Sequence, residues 1–406
     1  MNKIMLAPTE LCTGCGVCAE ICPKQCITMQ KDALDCVYPV IANGTCAECG
    51  LCAQKCPALR RQDKFPQGKV YAAWNTDERL RRQAASGGVV TAIYQYALQN
   101  GLKTFGVHCL PEGKAEYIPI EDQADIEKCR NSKYVFSDIR PILEPIKQLI
   151  SSGKTVVLPA LPCQIAAVLA YLNGKRNNLI LIDIICHGVC PSDYLQQHIE
   201  KIEKKKKAKA QSICFRDPEF GTNRFMFTVR DAEGIFYKTP VHAGDTYQLG
   251  YHKSLIYREN CYHCIYAEAQ RLGDLTVADF SGLGRVEPFT DVKKSVSCVI
   301  VSSPKGAELL QELQAEERLI CQIRPSQEAF SYERQLKAPS VPHKKRKRFE
   351  QEYKKHGMYE KAAYAALRWD IARNCLSRFL GIAKIRRAIS KVIPKNLKSL
   401  LRKVIK

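Results

Sequence analysis

Cys12, Cys15, Cys18 and Cys22 follow the spacing C-x2-C-x2-C-x3-C-P, and the same spacing returns at Cys46, Cys49, Cys52 and Cys56, again before a proline. Structural zinc sites usually pair two CxxC knuckles across a longer spacer, so a duplicated run of three cysteines at intervals of three points away from zinc. It is the pattern of a pair of iron-sulfur cubanes. Three closely spaced thiolates take three corners of one cluster, and the fourth, past a turn set by proline, ligates the other. That rule assigns Cys12, Cys15, Cys18 and Cys56 to one 4Fe-4S cluster and Cys46, Cys49, Cys52 and Cys22 to a second. Cys26 and Cys36 fit neither run and are expected to be small buried apolar side chains.

The compartment follows from the thiols. The chain has 21 cysteines in 406 residues, and the opening "MNKIMLAPTE" shows neither the apolar region nor the cleavage pattern of an export signal. A cytoplasmic, reducing setting is expected. No uninterrupted apolar stretch of about 18 residues suggests a membrane span. The net charge of +21 is unevenly placed: residues 341–406 carry 20 Lys/Arg against 4 Asp/Glu, so the basicity belongs to the C-terminal part. Without an accompanying recognition fold or aromatic platform, nucleic acid is not the expected partner.

The tandem occupies residues 1–60 as an α+β ferredoxin-like unit. Residues 61–69, with Pro66 and Gly68, read as a linker. A mixed α/β domain with a partly parallel sheet is expected over 70–335, and a basic helical tail over 336–406. "KVYAAW" is strand-like, and "SGGVVTAIYQYALQNG" has a helical apolar period closed by Gly101. "TVVL" at 155–158, the helix in "PCQIAAVLAYLNG" and "LILIDIIC" at 179–186 form a strand, helix, strand unit whose continuous apolarity suits a parallel sheet covered on both faces. Cys163 and Cys186 would then open onto the same carboxyl edge, where open α/β sheets bind ligands. Farther on, "SICFRDP" and "RFMFTVRDAEGIFYKTP" read as antiparallel strands, followed by the strands "DLTVADF" and "SCVIVSS" and a helix in "GAELLQELQ".

Cys261 and Cys264 make a CxxC knuckle that needs two further ligands. Cys163 and Cys186 are the candidates, with Cys190 as substitute for Cys186. A third 4Fe-4S cluster fits the thiolate count; zinc and inert buried cysteine are the competing readings.

Four stretches, "RRQAASGGVVTAI", "LPALPCQIAAV", "LIDIICHGVC" and "CYHCIYAEAQRLGDLTVADFSG", together resemble the beta-subunit family of coenzyme F420 hydrogenase and related dehydrogenases. The resemblance covers about residues 1 to 300. It implies an iron-sulfur flavoprotein oxidoreductase that takes electrons from ferredoxin or a partner subunit and passes them to FAD and an organic acceptor. The acceptor would be an F420-type coenzyme or a metabolite, such as one of polysaccharide biosynthesis; the rival is a non-catalytic relay subunit. In the family-like segments, Ser86, Gly87 and Gly88 precede a helix suited to a diphosphate. Ser132 and Lys133 in "NSKYVFS" are expected on the cofactor side, and Gln164 lies in the "LPCQ" segment. Arg216, Asp279 and His187 are further polar residues for which structural and site roles both stand. Ala85, Ala160 and "ADFSG" depart from the common family pattern without removing a cysteine.

At the C-terminus, Ile382, Ile385, Ile389, Val392 and Ile393, then Leu397, Leu400, Leu401, Val404 and Ile405, alternate with Lys and Arg. An amphipathic helix of this kind suits peripheral contact with anionic membrane at its inner face; packing on a protein partner is the alternative.

Overall fold

The computed structural model describes residues 6–42, 44–221, 224–290 and 295–380. Two short helices, Val17–Glu20 and Leu51–Gln54, each begin at a glycine with left-handed backbone, Gly16 (φ 71°) and Gly50 (φ 72°). That conformation is what glycine permits at low cost, and it turns the chain between the second and third cysteine of each run. Between the helices, β1 (Ile27–Lys31) and β2 (Val37–Ile41) form an antiparallel pair. The tandem is thus the small α+β unit expected.

The strands that follow are β3 (Lys69–Asn75), β4 (Lys103–Cys109), β5 (Ala115–Pro119), β6 (Ser137–Asp138), β7 (Val156–Ala160), β8 (Leu179–Ile184), β9 (Ser212–Cys214), β10 (Met226–Arg230), β11 (Ile235–Pro240), β12 (Leu275–Asp279), β13 (Ser297–Val301) and β14 (Leu319–Arg324). Nine of them make one sheet in the order β14-β3-β13-β12-β8-β7-β4-β5-β6. Strands β12, β8, β7 and β4 run parallel to one another, while β13 is antiparallel to both β12 and β3. Strand β3 therefore runs the same way as β12. The five carboxyl ends, near Asn75, Cys109, Ala160, Ile184 and Asp279, share one edge.

Every residue of β7 is buried, as its unbroken apolar sequence requires of a strand covered on both faces. The helices Val89–Gln99 and Pro162–Tyr171 pack on the sheet through Val89, Ala92, Ile93, Ile165 and Val168, and they contribute to two of the largest apolar clusters. A separate three-stranded sheet, β11-β10-β9, turns at Asp231, whose N–H bonds to Gly234 O at 3.0 Å.

The stretch expected as a linker is docked. Phe65 and Arg271 exchange backbone hydrogen bonds, and the Arg176 guanidinium lies 4.7 Å from the Phe65 ring. Beyond residue 336 the chain forms helices Arg346–His356 and Tyr359–Phe379, whose Phe349, Tyr353, Tyr359, Ala363 and Leu367 are buried in the largest cluster. These helices belong to the packed body. The apolar and basic positions from Ile382 to Ile405 lie outside the described residues.

Candidate functional site

The ferredoxin-like unit sits against the body through specific contacts. Tyr194 donates its hydroxyl to Leu34 O at 2.8 Å, Arg258 Nη2 donates to Val37 O at 3.0 Å, and Tyr266 donates to Pro57 O at 3.3 Å. Lys31 pairs with Asp193, and Tyr353 donates to Asp35. The first run of cysteines is thereby held over the carboxyl edge of the sheet, where Thr13 and Cys15 meet Cys163 and Cys186.

Within the unit, Cys12, Cys15, Cys18 and Cys56 line a common space of about 380 Å3 to its open mouth, and Cys52 of the second run is also on its wall. Burial pushes the Cys18 thiol up, and the neighbouring Cys15, Cys12 and Cys56 push it further, so these four feel one another. Burial raises Cys52, with Cys46 and Cys49 adding to the effect, and Cys22 Sγ lies 3.4 Å from the Sγ of Cys26, which belongs to neither run. Cys26 and Cys36 are both buried.

A larger cavity, about 690 Å3 to its open mouth, lies where the unit meets the sheet edge, and Cys163, Cys186, Cys261 and Cys264 all line it. Cys186 follows β8, Cys163 lies in the first turn of the helix after β7, and the CxxC pair comes from the short helix Glu259–Tyr262 and its exit. Burial drives the Cys261 thiol up to about 12 and Cys163 well above its ordinary value, with the thiolates of the set repelling one another. Four thiols this reluctant to ionise alone become ligands only if a cation drives the protons off. Among the described residues, no three His, Cys, Asp or Glu side chains close on a point as a single ion requires. The four thiols instead ring a space.

Cys190 is not among the lining residues. Its Sγ lies 2.9 Å from the Tyr247 hydroxyl and 3.3 Å from Tyr134 O inside the apolar core. Between the two candidates it is Cys186 that faces the cavity. Cys15 and Thr13 line both this cavity and that of the first set, so the two spaces adjoin. Tyr266 packs between them, with Cys163 and Cys15 among the charges it feels after burial itself.

Three lining residues escaped sequence reading. Arg271 is buried and donates to Asp183 Oδ1 at 2.7 Å, and Asn260 and Tyr266 complete the wall. Arg271 and Asp183 are 88 positions apart, and no local signal joins them. His187, also on the wall, is held by Gln335 at 3.1 Å.

Residues 70–144 match the family model for the N terminus of the coenzyme F420 hydrogenase/dehydrogenase beta subunit, and residues 153–325 match the model for its C terminus. The chain belongs to the coenzyme F420 hydrogenase/dehydrogenase beta-subunit family. Residues 11–59 match a 4Fe-4S dicluster domain, which makes this family member an iron-sulfur electron-transfer protein. A chain in a solved structure of the F420-reducing NiFe hydrogenase complex from Methanosarcina barkeri superposes with a TM-score of 0.42 at 19% identity, covering 65% of this chain and 85% of that one. No curated protein matches the sequence.

In this beta-subunit relative, the residues expected around FAD lie at the same sheet edge, with their polar atoms engaged by the protein. Gly87 N–H donates to Ser297 Oγ at 2.9 Å, and Ser86 donates to Val296 O at 3.0 Å. Lys133, half-buried, donates to the carbonyls of Cys129, Arg130 and Asn131 at 2.7, 2.6 and 3.2 Å, and Ser132 lies beside Tyr134. Gln164 accepts from Tyr117 at 2.8 Å and donates to Ser137 O at 2.9 Å. As folded, these side chains offer no cradle for a diphosphate. What does suit one is the start of helix Val89–Gln99, where Gly88 (φ 85°) stands at the N-cap with no side-chain cap. Arg216 and Asp279 form an ion pair at 2.7 Å by the edge of β12.

Proposed function

We propose that this chain is an oxidoreductase that carries electrons through three 4Fe-4S clusters toward an organic acceptor. The observation that carries the reading is the ring of Cys163, Cys186, Cys261 and Cys264 around a cavity that adjoins the first cysteine set through Cys15. The donor set fits iron-sulfur chemistry. Four soft thiols surround a space wider than an ion, and the adjoining set belongs to a dicluster domain. Clusters held there supply one-electron carriage. The chain's own part is to hold ligands on three elements of a rigid sheet edge and to keep the spaces adjacent through Thr13, Cys15 and Tyr266.

FAD is the cofactor that family membership implies, and when bound it would exchange single electrons for hydride with an organic substrate. Of the residues expected around it, only the start of helix Val89–Gln99 fits its phosphates. Release of FAD from anaerobically purified protein tests that part. Ferredoxin or a redox partner subunit is the expected donor, an F420-type coenzyme or a metabolite, such as a polysaccharide precursor, the expected acceptor, and the cytoplasm the expected location. Turnover of the isolated chain with reduced ferredoxin and a panel of acceptors distinguishes this enzyme from a relay subunit: turnover supports the enzyme, and cluster reduction without acceptor reduction supports the relay.

Contact with an anionic membrane is a second reading favoured by one observation. On helix Tyr359–Phe379 and its cap, Trp369, Leu376, Phe379 and Leu380 are exposed, Trp369 at 72% and Phe379 at 88%, immediately before 26 residues with nine Lys/Arg and no Asp/Glu. No helix among the described residues is long and apolar enough to cross a membrane.

A further inference from the structure

Arg258 is 1% exposed and is one of the largest fully buried side chains. A buried guanidinium normally lies against a carboxylate, because an uncompensated charge in the interior costs several kcal/mol or more. Arg271 has Asp183, and Arg346 has Glu259 and Glu350. Among the described residues no carboxylate pairs with Arg258. Its Nε reaches Asn260 Oδ1 at 3.4 Å and its Nη2 reaches Val37 O at 3.0 Å. The Phe136 and Tyr38 rings lie 4.8 and 5.1 Å from its Cζ. Neutral carbonyls and ring faces solvate a cation but do not cancel its charge.

Its position indicates what does. Arg258 caps the helix that carries Cys261, and its side chain reaches away from that helix into the loop of the first cysteine run. A Cβ on Gly14, between Cys12 and Cys15, would lie 2.6 Å from Arg258 Nη2, so the guanidinium is packed against the backbone of that loop. The guanidinium thus stands between the loop that carries Cys12 and Cys15 and the short helix that carries Cys261. Arginine does not lose its proton under these conditions, so the charge is permanent.

We propose that Arg258 is the shared counter-charge of the first and third cluster sites, placed between them so that an electron entering either is stabilised by the same buried guanidinium. This rests on the three-cluster reading for the third site and on the dicluster domain for the first. Each one-electron reduction adds one negative charge to a thiolate-ligated cluster, and net charge and hydrogen bonding at the sulfurs set the potential. Arg258 takes up no electron and no proton; it is a positioning residue that raises both potentials together. Arg258 touches Asn260, Val37, Tyr38, Phe136 and the Gly14 backbone, none of them in the second set of Cys22, Cys46, Cys49 and Cys52, so the potential of that set should be independent of it.

The test is an EPR-monitored redox titration of the full chain, reduced with dithionite, in Arg258→Gln, Arg258→Met and Arg258→Lys, with iron counted in each. The methionine variant fills the space without adding a polar group of its own, although Val37 O and Asn260 Oδ1 lose the Arg258 donor. In the neutral variants two of the three cluster signals should move to lower potential, each by at least a tenfold change in the one-electron equilibrium constant, about 59 mV. Arg258→Lys should stay near the unaltered protein, and the third signal should not move. Loss of iron in both neutral variants with retention in the lysine variant also supports a required charge. Unshifted potentials, or equal loss of iron in all three variants, overturn the proposal. If the unaltered protein holds iron for two clusters only, the three-cluster reading fails, whereas a shift of just one of those two signals upholds Arg258 at the first site.

Discussion

His198 Nε2 lies 3.0 Å from Asp245 Oδ2 while its Nδ1 lies 2.5 Å from Glu360 Oε1, so one buried imidazole ties helix Ser192–Lys206 to helix Thr246–His252 and to the C-terminal helix Tyr359–Phe379. Burial alone would push the histidine down, but the two carboxylates outweigh it and hold it up at about 9; Asp245 is held down at about 2 despite its burial. Tyr237 donates to Asp245 at 2.6 Å, and Lys201 and Thr246 hold Glu360.

A raised histidine stabilises the fold fully below its unfolded value near 6.5, and that contribution is lost as pH rises through about 9. The loss is on the order of 3 kcal/mol. Urea unfolding followed by far-UV circular dichroism should show stability falling between pH 6.5 and 9 in the unaltered chain. His198→Gln should be weaker at neutral pH but nearly level across that interval; an equal slope in both would show that the buried cluster does not titrate there.

Anaerobically purified protein should contain about twelve iron atoms, four for each cubane. Cys163→Ser combined with Cys264→Ser should remove about a third of it. Cys190→Ser should keep the full count, because that thiol bonds to Tyr247 in the core and does not line the cavity. Iron near eight with stoichiometric zinc in the unaltered protein would assign the third site to zinc.

Gly87 has no room for a side chain: a Cβ there would stand 2.3 Å from Ala73 O and 2.7 Å from Ser297 N, both backbone atoms of the sheet. Gly87→Ala should lower stability by about 1–3 kcal/mol through overpacking. At Gly88 the positive φ adds backbone strain, so Gly88→Ala should also destabilise. If helix Val89–Gln99 receives a flavin diphosphate, FAD content per chain should fall in Gly88→Trp while the iron count of the folded fraction stays level.

The C-terminal basic residues should contribute about 1 kcal/mol each to binding anionic lipid, screened by salt, while the exposed apolar side chains add a component that salt does not screen. The full chain should sediment with anionic vesicles and be only partly released by high salt, whereas a chain ending at Leu380 should bind weakly and keep its iron. Leu397, Leu400 and Leu401 changed to serine should leave binding that salt abolishes. Full-length protein that ignores such vesicles at low ionic strength would point to a protein partner for this segment.

Much of the site was legible in the sequence because its determinants are local. Cysteine spacing fixes which thiols a short turn can bring together, and Gly16 and Gly50 supply those turns. The unbroken apolar runs at 156–160 and 179–184 declare strands covered on both faces, which places Cys163 and Cys186 on one edge. Engagement of Lys133 and Gln164 by carbonyls and hydroxyls was not legible, because a motif shows which polar groups are present and not which neighbours satisfy them. Nor was the extent of the body: helices Arg346–His356 and Tyr359–Phe379 look basic in sequence, yet one narrow face of each packs into the core.

The duplicated cysteine spacing of a 4Fe-4S dicluster domain and the carboxyl-edge location of Cys163 and Cys186 could be read from the sequence without the fold. Tertiary structure alone decided that Cys186 rather than Cys190 faces the cavity, and that Arg258 stands between the first and third sets. The reason is physical. Ligand spacing is a property of a few consecutive residues, whereas the solvation of a buried charge depends on every group around it, and for Arg258 those groups come from Val37, Tyr38, Phe136 and Asn260, brought together only when the ferredoxin-like unit closes on the sheet.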